Sequence, residues 1–211
     1  MKGNANRQVM MFSATMSSKT KDICRMYMKN PKEIFIDQEK NLTLFGLKQF
    51  YVRLEEDQKI KKLIQLLDDL DFNQVIIFVK TQEYAKKLNE IIRDTGFPSA
   101  ACYSSMTIED RLRIYKEFKE YKYRIMVSTD LFGRGIDIEK INVVINYNMP
   151  TESDQYLHRV GRAGRFGTKG LAISFISTPD DQKVLDDVQA RFEVKVADLP
   201  TTIEKSWYMN N

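Results

Sequence analysis

One short run, Val75-Ile-Ile-Phe-Val79, constrains this chain more than any other stretch. Apolar and β-branched without alternation, it has the pattern of a strand buried on both faces, which places it inside a parallel sheet covered by helices. Its flanks agree. Residues Asp57–Leu70 repeat apolar positions at helical spacing (Ile60, Leu63, Ile64, Leu67, Leu70), and Gln82–Asp94 does the same with Ala85, Leu88 and Ile92 before Gly96 and Pro98 stop it. Further strands are expected at Lys48–Leu54, Ser99–Ser104, Arg124–Ser128, Val143–Tyr147 and Leu171–Ile176. Thr107 and Asp110 have capping-box spacing before a helix whose inward face reads Ile108, Leu112, Tyr115 and Phe118. A helix covers Ser153 to about Ala163, and Thr178-Pro179-Asp-Asp181 caps the last one, through Phe192. Strands alternating with helices imply right-handed crossovers and an α/β fold, a mostly parallel sheet with helices on both faces.

The first residues read differently. Gln8–Phe12 is a short apolar run, expected as a strand, ending in Ser13-Ala14-Thr15. Ser17 opens a helix with Ile23, Met26 and Tyr27 on its apolar face, Asn30-Pro31 ends it, and Glu33–Ile36 reads as a second strand. From Asp37 to Leu47 the sequence turns polar and loses periodicity, which marks a linker. A length of 211 residues suits one α/β domain with something appended, or two small domains. The net charge of +4 permits a nucleic-acid partner. Cys24 and Cys102 match no metal spacing and read as reduced thiols of an intracellular protein, and a lone His158 excludes a multi-histidine metal site. No apolar run reaches the length of a membrane span, and the N-terminus lacks a signal-peptide pattern.

Ligands of parallel open sheets sit beyond the carboxyl ends of the strands, so polar residues there are candidates for function. After the expected strand Arg124–Ser128, Thr129, Asp130, Arg134, Gly135 and Asp137 follow in one run. Thr129 can donate to a phosphate oxygen, and Asp137 is suited to accept from a ribose hydroxyl. Thr81 can cap its helix or touch a phosphate. Arg111 stands in a first helical turn, where the dipole disfavours a cation; it suits an external anion or an ion pair with Glu109 or Asp110. Arg159, Arg162, Arg165 and Lys169 alternate with Gly161, Gly164, Gly167 and Gly170, and no acidic residue lies between Asp154 and Asp180. Guanidinium forks beside bare backbone amides suit a polyphosphate; a solvated basic loop is the plainer reading.

Taken together these residues resemble the second RecA-like lobe of DEAD-box RNA helicases, over essentially the whole chain. Ser13-Ala14-Thr15 resembles the family's Ser-Ala-Thr motif and Val75–Thr81 its fourth motif. Thr129-Asp130…Arg134-Gly135…Asp137 is similar to the fifth, and His158-Arg159…Gly161-Arg162…Gly164-Arg165 to the sixth. Leu131-Phe-Gly133, Arg165–Gly170 and Arg191–Val194 are most similar to the nuclear branch of pre-mRNA splicing and mRNA export. Two positions depart from the pattern: Ile108 replaces the Gln of Gln-x-x-Arg, and Tyr103–Met106 replaces a His-Gly-x-Met-like turn. The resemblance implies that Arg162 and Arg165 are arginine fingers on ATP, with Gly135 and Asp137 on its ribose. It implies that Thr81, Arg111 and Thr129 hold the RNA backbone, and that Ser13, Thr15, Arg134, His158 and Arg159 couple the lobes.

The sequence has no Gly-x-x-x-x-Gly-Lys-Ser/Thr loop and no Asp-Glu-x-Asp run, so the phosphate cradle and the Mg²⁺ ligands are expected elsewhere. The resemblance therefore implies half an enzyme. Residues 1–36 would be the tail of a first lobe, 37–47 the linker and 48–211 the C-terminal RecA-like lobe. ATP and Mg²⁺ are the expected cofactors; RNA, the first lobe, and splicing or export factors are the expected partners. The apolar strands near the N-terminus would be disordered, folded back, or paired with a second copy in a dimer. A scaffold that binds RNA or protein without catalysis is the rival reading, and a DNA helicase lobe a second one.

Overall fold

A strand buried on both faces needs neighbours on both sides and helices above and below, and the computed structural model supplies both. It describes residues 7–13, 15–34, 46–130 and 138–210, with Phe166 by its backbone only. The chain divides into two compact units, residues 1–43 and 44–211.

In the larger unit the described residues form a seven-stranded, all-parallel sheet. Its strands are β1 (Leu47–Arg53), β2 (Gln74–Phe78), β3 (Ser99–Cys102), β4 (Ile125–Ser128), β5 (Ile141–Asn146), β6 (Gly170–Ile176) and β7 (Ala197–Asp198), in the order β3-β4-β2-β5-β6-β1-β7. The predicted central run is β2, buried at every position, with β4 and β5 beside it. The connecting helices are α2 (Lys59–Asp69), α3 (Gln82–Asp94), α4 (Ile108–Lys119), α5 (Ser153–Val160) and α6 (Pro179–Phe192). Thr81, Thr107 and Thr178 cap α3, α4 and α6 through their hydroxyls, and Asp181 completes a capping box with Thr178. A core lies on each face of the sheet, one under α2 and α3 and one under α4.

Two helical faces differ from the sequence reading. In α4, Ile108 and Leu112 are 63% and 62% exposed, whereas Ile114 and Phe118 are buried. Two apolar stripes compete on this helix, and the sheet takes the one that carries Phe118. In α2, Ile60 is exposed and Lys59 buried instead, its amine on Glu56 at 2.8 Å and 5.5 Å from the centre of the Tyr147 ring. A lysine can bury its stem this way while its charge keeps a partner. The C-terminal segment, which no periodicity marked, packs across the sheet. Trp207 stacks on Phe50 at 5.7 Å, and the buried Asn142 amide donates to the Tyr208 carbonyl.

The smaller unit contains α1 (Ser18–Tyr27), capped by Ser17 as expected. The expected strands at 8–12 and 33–36 are not seen: residues 8–12, 33 and 34 form no ladder, and 35–36 lie outside the described residues. A ladder needs a neighbouring strand, and none runs beside them among the described residues. The expected apolar face of α1 is open too, with Met26 82% and Tyr27 71% exposed and Cys24 the buried residue of the helix. Arg25 ties the helix to the segment after it by a bidentate pair to Glu33 (2.7 and 2.8 Å). Of the expected linker, 37–45 lies outside the described residues.

Burial sets the pH response of the core. It pushes the Cys102 thiol from its ordinary 9.0 up to about 12, and the Tyr147 hydroxyl from 10.0 up to about 12. Both groups are neutral in the fold but ionise sooner in the unfolded chain, so their contribution is complete below pH 9 and is lost as pH rises toward 12. Urea unfolding followed across that interval is expected to show a falling midpoint, and Tyr147→Phe a shallower fall; a flat profile would contradict this.

Candidate functional site

The carboxyl ends of four adjacent strands, β3, β4, β2 and β5, form one edge. Backbone bonds continue past the strand ends and hold that edge in register: Val79 donates to Ser128, Thr129 to Cys102 and Asn148 to Phe78. The edge therefore brings Thr81, Tyr103, Thr129 and Asn148, which are far apart in sequence, onto a common margin.

Arg159 fastens it. This residue of α5 is 1% exposed, and its guanidinium reaches three chain segments. Nε donates to Asp130 Oδ1 at 2.6 Å, and Nη1 to Asn146 Oδ1 at 3.3 Å and the Asn148 carbonyl at 2.7 Å. The cation also lies over the Phe78 ring, 5.1 Å from its centre. Burying a guanidinium is costly unless its hydrogens find acceptors, and here a carboxylate and two amide oxygens supply them. Asn146 in turn donates to Ser174 on β6, and Asn148 accepts from the Lys80 amide. One side chain thus joins the segment following β4 to the end of β5, across the last residue of β2. The sequence reading gave Arg159 to coupling between lobes, but Nε and Nη1 act inside this one. A signal was present. Tyr156, Arg159, Val160 and Ala163 share one helical stripe, all buried, so Arg159 belongs to the inward face.

Helix α5 is held at two more points. Asp154 pairs with Arg191 of α6 at 2.7 Å, and the buried Tyr156 hydroxyl donates to Gln49 of β1 at 3.0 Å. Burial pushes that hydroxyl above its ordinary range. The turn after α5 carries Arg162 and Arg165. Each donates through Nε to the carbonyl four residues back, His158 at 3.0 Å and Gly161 at 3.1 Å. Arg162 is buried at 8% exposure and Arg165 half-buried, so the solvated-loop reading does not describe them. The glycines here have a packing role that the sequence did not suggest. A Cβ on Gly170 would stand 2.6 Å from the Gly164 nitrogen, and Gly164 itself has a φ of +70°.

Arg111 behaves differently from the other arginines. It lies on the inward stripe of α4 with Ile114 and Phe118, half-buried near the end of β3, where its charge opposes the upward shift of Cys102. Its Nε is buried without a hydrogen-bond partner. Asp110, one of two expected partners, pairs with Arg113 at 2.6 Å instead. An unmet buried donor on a cation is costly, and an anion arriving at this margin would satisfy it. Thr81 caps α3, accepting from the Tyr84 amide at 3.3 Å, and its hydroxyl donates to Glu83, helping that residue's own amide to hold the carboxyl below its ordinary range. Tyr103 lies under the Lys86 amine at 5.0 Å, and Ser105 bonds to Gln82, so the atypical turn is tied to α3.

Of the remaining expected residues, His158 is half-buried on α5, Ser13 is exposed with its hydroxyl on the Thr15 carbonyl at 2.5 Å, and both Ser13 and Thr15 belong to the smaller unit. Arg134, Gly135 and Asp137 lie outside the described residues. Among the described residues no cluster of three His, Cys, Asp or Glu side chains could hold a metal, and no helix is long and apolar enough to cross a membrane.

This fold and margin define a helicase C-terminal domain: residues 58–167 match the family model described as "Helicase conserved C-terminal domain". Solved structures narrow it. Dbp5 of S. cerevisiae bound to RNA and ADP BeF3 is similar over 90% of this chain and 50% of that one, with a TM-score of 0.84 and 28% identity. The structure of the C-terminal domain of the DEAD-box protein Dbp5 matches 75% of this chain and 93% of that one (TM-score 0.70, 30% identity). In sequence, the chain is 56% identical over 207 residues to ATP-dependent RNA helicase SUB2-2 of Vanderwaltozyma polyspora, and 57% over 206 residues to SUB2 of Eremothecium gossypii. These alignments cover 98% and 97% of this chain and 47% of each relative, so the chain spans about half their length. The chain belongs to the DEAD-box RNA helicases and carries their C-terminal RecA-like lobe.

Replacing Arg159 tests the clasp. Arg159→Met leaves three acceptors at two strand ends unmet, and is expected to lower the urea-unfolding free energy by about 2–4 kcal/mol. Arg159→Lys recovers little, because a point charge cannot span three acceptors. A loss below about 0.5 kcal/mol in both variants, the range of ordinary surface changes, would remove the clasp.

Proposed function

We propose that this chain acts as the C-terminal half of an RNA-dependent ATPase, with the margin at β3, β4 and β2 on the RNA backbone and the α5 turn on the nucleotide. The partnerless Nε of Arg111 carries the RNA reading, since a half-buried cation with an unmet donor suits a phosphate. Thr81 and Thr129 lie on the same margin, and a phosphate there can accept from the Thr129 hydroxyl and compete with Glu83 for that of Thr81. Contacts of this kind go to sugar and phosphate and read no base.

ATP fits the α5 turn by its chemistry: two guanidinium groups, each anchored at Nε, stand three residues apart in the turn that follows a helix fixed at Asp154, Tyr156 and Arg159. In this reading Arg162 and Arg165 stabilise charge on the transferring phosphoryl group, which is worth orders of magnitude in rate. Gly135 and Asp137 hold the ribose, and Arg134 and His158 couple the turn to the neighbouring lobe. Mg²⁺, when bound, neutralises phosphate charge; its ligands and the phosphate cradle belong to the first lobe. Residues 1–36 are its tail, with Ser13 and Thr15 in its Ser-Ala-Thr motif, and 48–211 the C-terminal lobe. Met10, Phe12, Met26, Tyr27 and Ile34 are exposed by 66–89%, which supports an apolar face that packs on the rest of that lobe. In its absence a second copy is the other occupant, as a dimer.

The identity to relatives named SUB2, with the motif wording, supports a place in pre-mRNA splicing or mRNA export, in the nucleus and with partner proteins of that machinery. A scaffold without catalysis would not need two guanidinium groups held in the turn after a fixed helix.

In the full-length protein, Arg162→Ala and Arg165→Ala are each expected to reduce RNA-stimulated ATP turnover by about 10³-fold or more. Unchanged turnover in both would remove the finger assignment. Arg111→Ala is expected to weaken single-stranded RNA binding and to flatten its dependence on salt concentration, by about one counterion. Equal salt slopes for variant and parent would exclude a phosphate contact at Arg111.

A further inference from the structure

The first described residue after the polar stretch that joins the two units is Gly46. It lies against the arginine turn, backbone on backbone. Its carbonyl accepts from the Gly170 amide at 2.9 Å, and its φ of +85° is one that L side chains rarely adopt. A Cβ at Gly46 would stand 2.9 Å from the Thr168 carbonyl oxygen, where only a backbone shift makes room. The packing continues inward. A Cβ on Gly164 would stand 3.3 Å from that same Thr168 oxygen, and one on Gly170 would stand 2.6 Å from the Gly164 nitrogen. Gly46, Gly164 and Gly170 therefore form one stack without side chains, and Gly164 lies between Arg162 and Arg165.

We infer that Gly46 is a positioning residue for the arginine turn: through Thr168 and Gly170 it ties the entry to β1 to the loop that carries Arg162 and Arg165. This rests on the finger reading above. The physical consequence is transmission. Contacts between backbones have no rotamers to absorb a displacement, so a shift of the chain at Gly46 shifts the turn with it. Reacting groups tolerate little misplacement, and about 1 Å can cost on the order of 100-fold in rate.

The test measures RNA-stimulated ATP turnover of the full-length protein with Gly46→Ala, Gly46→Asn, Gly96→Ala and Arg162→Ala. Gly96 is the matched control. Its φ is +91°, yet nothing lies within 4 Å of its would-be Cβ, so Gly96→Ala imposes the backbone strain without the contact. Asn tolerates a positive φ better than Ala does, so Gly46→Asn keeps the contact while easing the strain. Both Gly46 variants are expected to lower kcat by about 10- to 100-fold while KM for ATP and RNA affinity stay within about two-fold. Gly96→Ala is expected to keep kcat near the parent's at a similar loss of thermal stability. If Gly46→Ala matches Gly96→Ala, or if Gly46→Asn restores turnover, the positioning role is overturned while the fingers stand. If Arg162→Ala also leaves turnover unchanged, the finger reading fails with it. Should neither Gly46 variant fold, hydrogen exchange of the parent decides: a Gly170 amide, at the very start of β6, as protected as those in the middle of the strand supports the tie, and one exchanging at loop rates overturns it.

Discussion

A single buried guanidinium holds the functional margin together. Strands of a parallel sheet end independently, and the segments that leave them would diverge unless something spanned the gaps. Arg159 bridges two of them, from Asp130 after β4 to Asn146 and Asn148 at the end of β5, with the Phe78 ring of β2 beneath it. The arrangement depends on direction as well as charge. Arginine presents several N–H groups in one rigid plane, so one residue can meet acceptors on separate strands at once. Thr81 and Thr129 owe their common margin to this clasp and to the backbone bonds around it.

The clasp has a second consequence, because Arg159 also locates α5. With Asp154 on Arg191 and Tyr156 on Gln49, the helix is fixed near its start, its middle and its end. The turn that follows inherits that stability and adds its own through the Gly164–Gly170 approach. Three arginines that look equivalent in sequence therefore divide by task. Arg159 organises the lobe, whereas Arg162 and Arg165 are carried on what it organises.

The sheet was legible because a strand buried on both faces has an unmistakable composition, and β2 lies where Val75–Val79 placed it, one residue earlier at each end. Helices with strong caps were legible as well, α3 and α6 beginning after Thr81 and Thr178. The inward face of α4 was not. Ile108 and Leu112 satisfy helical spacing as well as Ile114 and Phe118 do, and only the sheet beneath decides between them. The glycine packing was illegible for a different reason. Gly46 and Gly170 meet across more than a hundred residues, and local pattern holds no trace of such a contact. At the N-terminus an apolar run signalled a strand, but strands exist only in pairs, and the described residues provide no second member. Arg159 lay between these cases, its stripe readable but its partners not.

The central claim is that this chain holds one wall of a nucleotide site and that the other wall is on a separate lobe. Titrating Mg·ATP into this chain by calorimetry, first alone and then with RNA and the separately produced N-terminal half, tests it directly. Alone, the chain should give no measurable heat of binding at millimolar nucleotide; with the other half and RNA it should bind, and more weakly once Arg162 and Arg165 are both alanine. Tight binding by this chain alone, unaltered by those two substitutions, would contradict the claim.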